Sequence, residues 1–175
     1  MSAAIVSVLR AVLEEPCADS LEWARALPES TTPRAAWETY QDPAGLAWFV
    51  AVLDTQRGVE LSRAAIKLAQ AAFRARREEH SNAREEWRAL IGAYNDQRAY
   101  EQARVHLEHA ENAMIDTETA LGIARRLDIE DAHAIMSAVA AATSRGEALA
   151  LIHREVSWEW VDARLPKPKT RGEDG

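Results

Sequence analysis

The chain has 175 residues and 19.4 kDa, a size at which one compact domain buries about 70 % of its unfolded surface. Hydrophobic residues at 47 % and charged residues at 28 % make a globular mixture, and no apolar run approaches the roughly 18 residues that a membrane span needs. A net charge of −7, a single cysteine (Cys17) and an N-terminus without the basic flank and cleavage site of a signal peptide predict a cytoplasmic protein with no disulfide or thiolate-metal chemistry.

The 35 alanines, against 26 β-branched residues and 13 glycines plus prolines, favour helix along most of the chain. Ile5, Val8, Leu9 and Val12 follow the i, i+3, i+4, i+7 rule, and Pro16 ends that first helix. Asp19 or Ser20 starts a short second helix that carries Trp23 and stops at Pro28. Thr32-Pro33 and Asp42-Pro43 each place a capping side chain before a proline at the first helical position, where the missing N–H is not needed. One of the helices they start carries Trp37 and Tyr40. The other carries Leu46, Phe49, Val50 and Leu53, with Trp48 on a neighbouring stripe, and closes at Arg57-Gly58. Both tryptophans are expected in the core.

Beyond Gly58, Leu61, Ala65, Leu68 and Ala72, flanked by Ile66, Ala69 and Phe73, form a wide stripe suited to close helix packing. A break is expected at His80-Ser81-Asn82, with Asn82 and Glu85 as a capping box. Trp87, Leu90, Ile91 and Tyr94 make the next apolar face. After a turn at Asn95-Asp96-Gln97, Tyr100, Ala103, Leu107, Ala110 and Met114 recur at bundle spacing. Thr117 is read as the start of another segment, Asp128 as the cap of a helix bearing Ile135 and Val139, and Ser144 with Glu147 as a second capping box. These elements predict an all-α domain over 1–165, an irregular bundle of about seven or eight helices more than about 60 % helical, well above the usual third. Residues 166–175 have nothing to bury and are expected to be a disordered tail.

The charge is unevenly distributed. Residues 1–56 hold eight acidic and three basic side chains, net −5, whereas residues 57–95 hold five acidic and eight basic, net +3. The arginine run Arg74, Arg76, Arg77, Arg84 and Arg88 is interleaved with Glu78, Glu79, Glu85 and Glu86 at helical spacing. A phosphate footprint needs uncompensated positive charge, so direct nucleic-acid binding is not expected. The acidic third instead repels phosphates and steers a basic protein toward it.

Catalytic and metal-binding patterns are incomplete. His106 and His109 stand three apart, and Glu130 precedes His133 by three, but this single Glu-x-x-His pair falls short of a di-iron bundle. The zinc, nucleophile-elbow and dinucleotide motifs are missing, and seven glycines leave little material for phosphate loops. No catalytic residue, metal or cofactor is therefore assigned.

Two local resemblances stand beside these readings. Trp87, Leu90, Tyr94, Tyr100, Ala103, Leu107 and Ala110 have the offsets of a tetratricopeptide unit, with Ile91, Arg98 and Ile115 departing from it. Neighbouring units are missing at a 34-residue step, so the resemblance implies one tetratricopeptide-like hairpin and no solenoid. Leu27-Pro28, Thr31-Thr32-Pro33, Ala35-Ala36-Trp37-Glu38, Asp42-Pro43 and Leu46-Ala47-Trp48 resemble a set of small all-helical bacterial and phage proteins, some of them described as toxin-immunity proteins. This chain departs from the set at Gly45, where a Trp is usual, and at Tyr40, where a Cys is frequent. The resemblance implies a non-enzymatic protein that neutralises a cognate toxin by direct binding. A phage or mobile-element anti-defence protein, presenting acidic helices to a nucleic-acid-binding effector, is the alternative. Glu22, Glu29, Glu38 and Asp42 are the carboxylates expected to meet a basic protein partner. Neither the oligomeric state nor a small ligand is read from the sequence.

Overall fold

The computed structural model describes residues 5, 6, 9, 18–91 and 97–165. It is 82 % helical, with eight helices and no strand among the described residues. The helices are α1 (Ala18–Ala26), α2 (Pro33–Thr39), α3 (Pro43–Leu53), α4 (Thr55–Leu90), α5 (Gln97–Ala124), α6 (Ala132–Ala142), α7 (Arg145–Glu155) and α8 (Trp158–Asp162). Ile5, Val6 and Leu9 are also helical. The expected tail at 166–175 and the turn at Asn95-Asp96 lie outside the described residues.

Side-chain caps explain most of the helix starts. Thr32 Oγ1 accepts from the Ala35 N–H at 3.2 Å, and the two Asp42 oxygens accept from Ala44 and Gly45 at 3.1 Å each. Asp54, Asp131, Ser144 and Ser157 do the same for α4, α6, α7 and α8. Each such bond satisfies one of the otherwise orphaned first-turn donors. The Ser144 box also closes through the side chains, since Ser144 Oγ donates to Glu147 Oε2 at 2.8 Å.

Four boundaries differ from the sequence reading. Gly58 does not end α3; Asp54 both ends α3 and caps α4, and Gly58 lies buried inside α4. A Cβ there would stand 2.6 Å from Ala51 Cβ, so the glycine serves close approach of the two helices. His80-Ser81-Asn82 is not a break, because α4 runs on beside α5 with Ala83 buried. Thr117 starts nothing: its hydroxyl donates to the Ala113 carbonyl at 2.8 Å, back along one uninterrupted helix. Asp128 accepts from the Glu130 N–H in the preceding turn, which leaves the α6 cap to Asp131, three residues on.

The main core lies where α3, the first half of α4, the end of α5, α6 and α7 meet. It is built on Leu46, Val50, Leu61, Leu121, Ile135, Met136, Val139, Leu151 and Ile152, each at most 4 % exposed. None of the described residues between 74 and 119 belongs to that core. Those parts of α4 and α5 form an arm, in which residues 74–90 extend for roughly 25 Å. Its two helices cover one another through Ala83, Ala103 and Ala110, the tilted Trp87–Tyr100 pair and an exposed His106–Glu86 contact at 3.2 Å. The expected hairpin is therefore present, but its helices of 36 and 28 residues are far longer than those of a 34-residue tetratricopeptide unit.

A polar clasp joins the chain's last helices to the α3–α4 corner. Arg57 donates to the Glu155 carbonyl at the end of α7 and pairs with Glu60 at 2.8 Å. Arg164 reaches Asp54 at 3.2 Å while its guanidinium lies 4.0 Å from the Trp160 ring centroid.

Candidate functional site: an aromatic cavity beside the acidic helices

A second, smaller cluster of Ile5, Ala24 and Ala36, with Trp23 and Leu27 against it, packs the N-terminal residues onto α1 and α2. Between this cluster and the main core lies an apolar cavity of about 80 Å³, walled by side chains of α1, α2, α3 and α8 together with Ile5 and Leu9. Its aromatic walls are Trp23, Trp37, Tyr40, Trp48, Phe49 and Trp158. Trp37 is core, 6 % exposed, and meets the His153 ring edge-on at 5.6 Å. The other five are only half-buried. Trp48 therefore differs from expectation: it lines the cavity and is not enclosed by the core.

The two departures from the resembled pattern are in contact at this cavity. A Cβ on Gly45 would fall 2.7 Å from the Tyr40 hydroxyl oxygen and 2.8 Å from Asp42 Oδ2. The large residue at 40 occupies the room that a large residue at 45 would need. Tyr40 in turn stands edge-on to Trp23, with ring centroids 4.5 Å apart.

The four carboxylates selected from the sequence have different settings. Glu22 on α1, Glu29 between α1 and α2, and Glu38 on α2 are all exposed. Glu38 pairs with Arg34 at 2.8 Å, a bond that holds the guanidinium above its usual pKa. Asp42 is half-buried and devotes its oxygens to capping α3, so its position has a structural reason. Beyond Arg34 lies Glu159, held below the usual carboxylate range by its own backbone N–H and by the Ser157 hydroxyl. On the arm, by contrast, basic groups are matched locally, as in Arg76–Glu79 at 2.8 Å and Arg104–Glu101 at 3.0 Å.

Among the described residues no three His, Cys, Asp or Glu side chains converge in a way that could hold a metal ion, and no helix is long and apolar enough to cross a membrane. His106 and His109 line a shallow groove on α5, and the exposed His133 lies on α6. Two contributors to the cavity had not been singled out for it. Trp158 is more than a hundred residues from Trp37, and no local spacing links them. The Tyr40–Asp42–Gly45 meeting was marked only by its departures from the resembled pattern. No protein-family model matches the chain, and neither curated proteins nor solved structures give a match to it.

Proposed function

We propose that the chain is a non-enzymatic protein-binding protein of the immunity type, acting in the cytoplasm and neutralising a cognate toxin by occupying a basic surface on it. The observation that carries this proposal is the exposure of Glu22, Glu29 and Glu38 on α1, α2 and their connection, within the part of the chain that bears net −5. On the arm, the five arginines between residues 74 and 90 are answered by four glutamates at helical spacing, as in Arg76–Glu79. An acidic surface of this kind raises the encounter rate with a basic protein and repels nucleic-acid phosphates. The resemblance of residues 27–48 to immunity-type proteins points the same way, and its two departures, Tyr40 and Gly45, compensate each other in volume.

The test is the combined reversal Glu22→Lys, Glu29→Lys and Glu38→Lys. Asp42 is left in place because reversing it removes a helix cap. Binding is measured to the basic protein encoded beside this chain, at low salt and at a salt where the Debye length falls below about 8 Å. The expected result is an association rate reduced most at low salt, with a melting temperature near that of the parent. Unchanged association by a folded triple variant refutes docking through the acidic third. Specific association with a nucleic-acid-binding effector, in place of a toxin, would assign the anti-defence role.

A further inference from the structure

The cavity and a charged groove beside it make a seat of two parts. We propose that this seat receives an aliphatic side chain flanked by lysine or arginine, projecting from the basic protein partner. The proposal deepens the acidic-surface reading, and its cationic half rests on that reading. The apolar part is the cavity of about 80 Å³, half open to solvent and without a charged side chain in its walls. Such walls select an apolar occupant, and the size selects its kind. Benzene fills a cavity of about 150 Å³, so roughly half that volume suits a branched aliphatic group and is too small for an aromatic ring. In protein interfaces the binding energy concentrates on apolar anchors seated in pockets of this sort, with a polar rim around them.

The charged part is a groove between α2 and the connection from α7 to α8, which shares Trp37 and Trp158 with the cavity. Glu38 and Glu159 line it together with Arg34 and His153. Arg34 is paired to Glu38 at 2.8 Å and acts on Glu159 only through space, while the His153 ring meets Trp37 edge-on. Two carboxylates therefore face one guanidinium, and a further cation finds an answering charge. Wall and charge are also neighbours in the sequence: Glu22 precedes Trp23, Glu38 follows Trp37 and Glu159 follows Trp158, all three glutamates being exposed. Three separate helices thus present a wall residue and a carboxylate side by side. An extended partner segment advances about 3.3 Å per residue, so the long side chains next to a seated aliphatic residue reach these carboxylates.

The experiment titrates blocked tripeptides into the full chain and follows the indole N–H resonances by NMR. The probes are acetyl-Lys-Leu-Lys-amide, its counterparts with Ala or Phe at the centre, and acetyl-Glu-Leu-Glu-amide. Saturable shifts are expected at Trp23, Trp48 and Trp158, with Trp87 on the arm as the unmoved reference. The Leu peptide should bind at least about fivefold more tightly than the Ala peptide, a part of what burial of its additional carbons provides. It should also bind at least about threefold more tightly than the Phe peptide, whose ring exceeds the space. Exchanging Lys for Glu should weaken binding about threefold or more at low salt, and the difference should shrink once the Debye length falls below about 8 Å. Equal affinities for the Leu, Ala and Phe peptides, with Lys still preferred to Glu, would overturn the aliphatic seat and leave the acidic-surface reading standing. Selectivity for Leu without any effect of peptide charge would refute that reading and the cationic flank together. The lack of a saturable shift, an equal response at Trp87, or shifts that follow the chain's own concentration without peptide, making a second copy the occupant, would each overturn the proposal.

Discussion

Gly58→Ala is a substitution whose sign depends on the packing of α3 against α4. Inside a helix, alanine is preferred to glycine by about 1 kcal/mol, and at an unhindered position the change stabilises. At Gly58 the added Cβ would meet Ala51 Cβ at 2.6 Å and Ala51 Cα at 2.8 Å, where ordinary contacts between carbons lie at about 3.5–4.0 Å. The two helices must separate by about 1 Å at this point, yet Val50 on one side and Leu61 on the other are at most 2 % exposed and fixed in the main core. Overpacking costs about 1–3 kcal/mol, and a contact this short belongs to the upper part, about 2–3 kcal/mol, so after the helix-propensity gain of about 1 kcal/mol the net loss is about 1–2 kcal/mol. For a chain of 175 residues that lowers the melting temperature by about 2–8 °C. Gly146→Ala is the internal control, because that glycine lies in the first turn of α7 with nothing within 4 Å of its added Cβ. It should raise stability by a few tenths to about 1 kcal/mol. Urea midpoints and thermal melts of both variants decide the matter: if Gly58→Ala stabilises as Gly146→Ala does, α3 and α4 are not in close contact at Ala51.

Two further predictions follow from burial and from the caps. Trp37→Ala should lose about 3–5 kcal/mol because the ring is 6 % exposed in the main core, whereas Trp48→Ala, removing a half-buried cavity wall, should lose clearly less; equal losses in denaturant unfolding would contradict the different settings found for the two rings. Asp54 is held below the usual carboxylate pKa first by the Arg57 backbone N–H and then by Arg164, so its contribution to stability is complete above the unfolded value near ~3.9 and disappears as pH falls through the lower folded value. Asp54→Asn should therefore flatten the acid limb of the stability profile while changing its slope little at neutral pH, and an unchanged acid limb would show that the carboxylate is not engaged.

Where the fold was legible, the signal was local and short in range. Thr32-Pro33, Asp42-Pro43 and Ser144 with Glu147 each combine a side-chain acceptor with the start of an apolar period, and all three begin helices in the structure. The same vocabulary misled in the middle of the chain. Ser81, Asn82 and Thr117 are cap-type residues, but they sit in helices stabilised by a partner along their length. Ser81 and Asn82 stay exposed, and Thr117 bonds back to Ala113. A cap residue marks a boundary only when no neighbouring helix offers burial beyond it. Gly58 shows the converse case: its closeness to Ala51 comes from the turn at Asp54, which folds α3 back onto α4.

The candidate site was legible by composition and not by assembly. That residues 1–56 were acidic could be counted, but which carboxylates serve the fold could not: Asp42 and Asp54 are caps, while Glu22, Glu29 and Glu38 face outward. Trp37 and Trp48, at helical spacing, both read as core, and of the two only Trp37 is buried there. Core and cavity wall share the same spacing in sequence, because both need a large apolar side chain on the inner face of a helix. They differ only in whether the opposing elements close the space. Here α8, brought back to the N-terminal helices from the far end of the chain, sets Trp158 across from Trp23 and Tyr40 without filling the interval. The arm follows the same logic in reverse. Beyond residue 74 the stripe facing the partner helix combines the buried Ala83, Ala103 and Ala110 with the half-buried Trp87 and Tyr100. Those residues serve the contact of α4 with α5 and stand outside the main core, so the two helices leave the bundle as a pair.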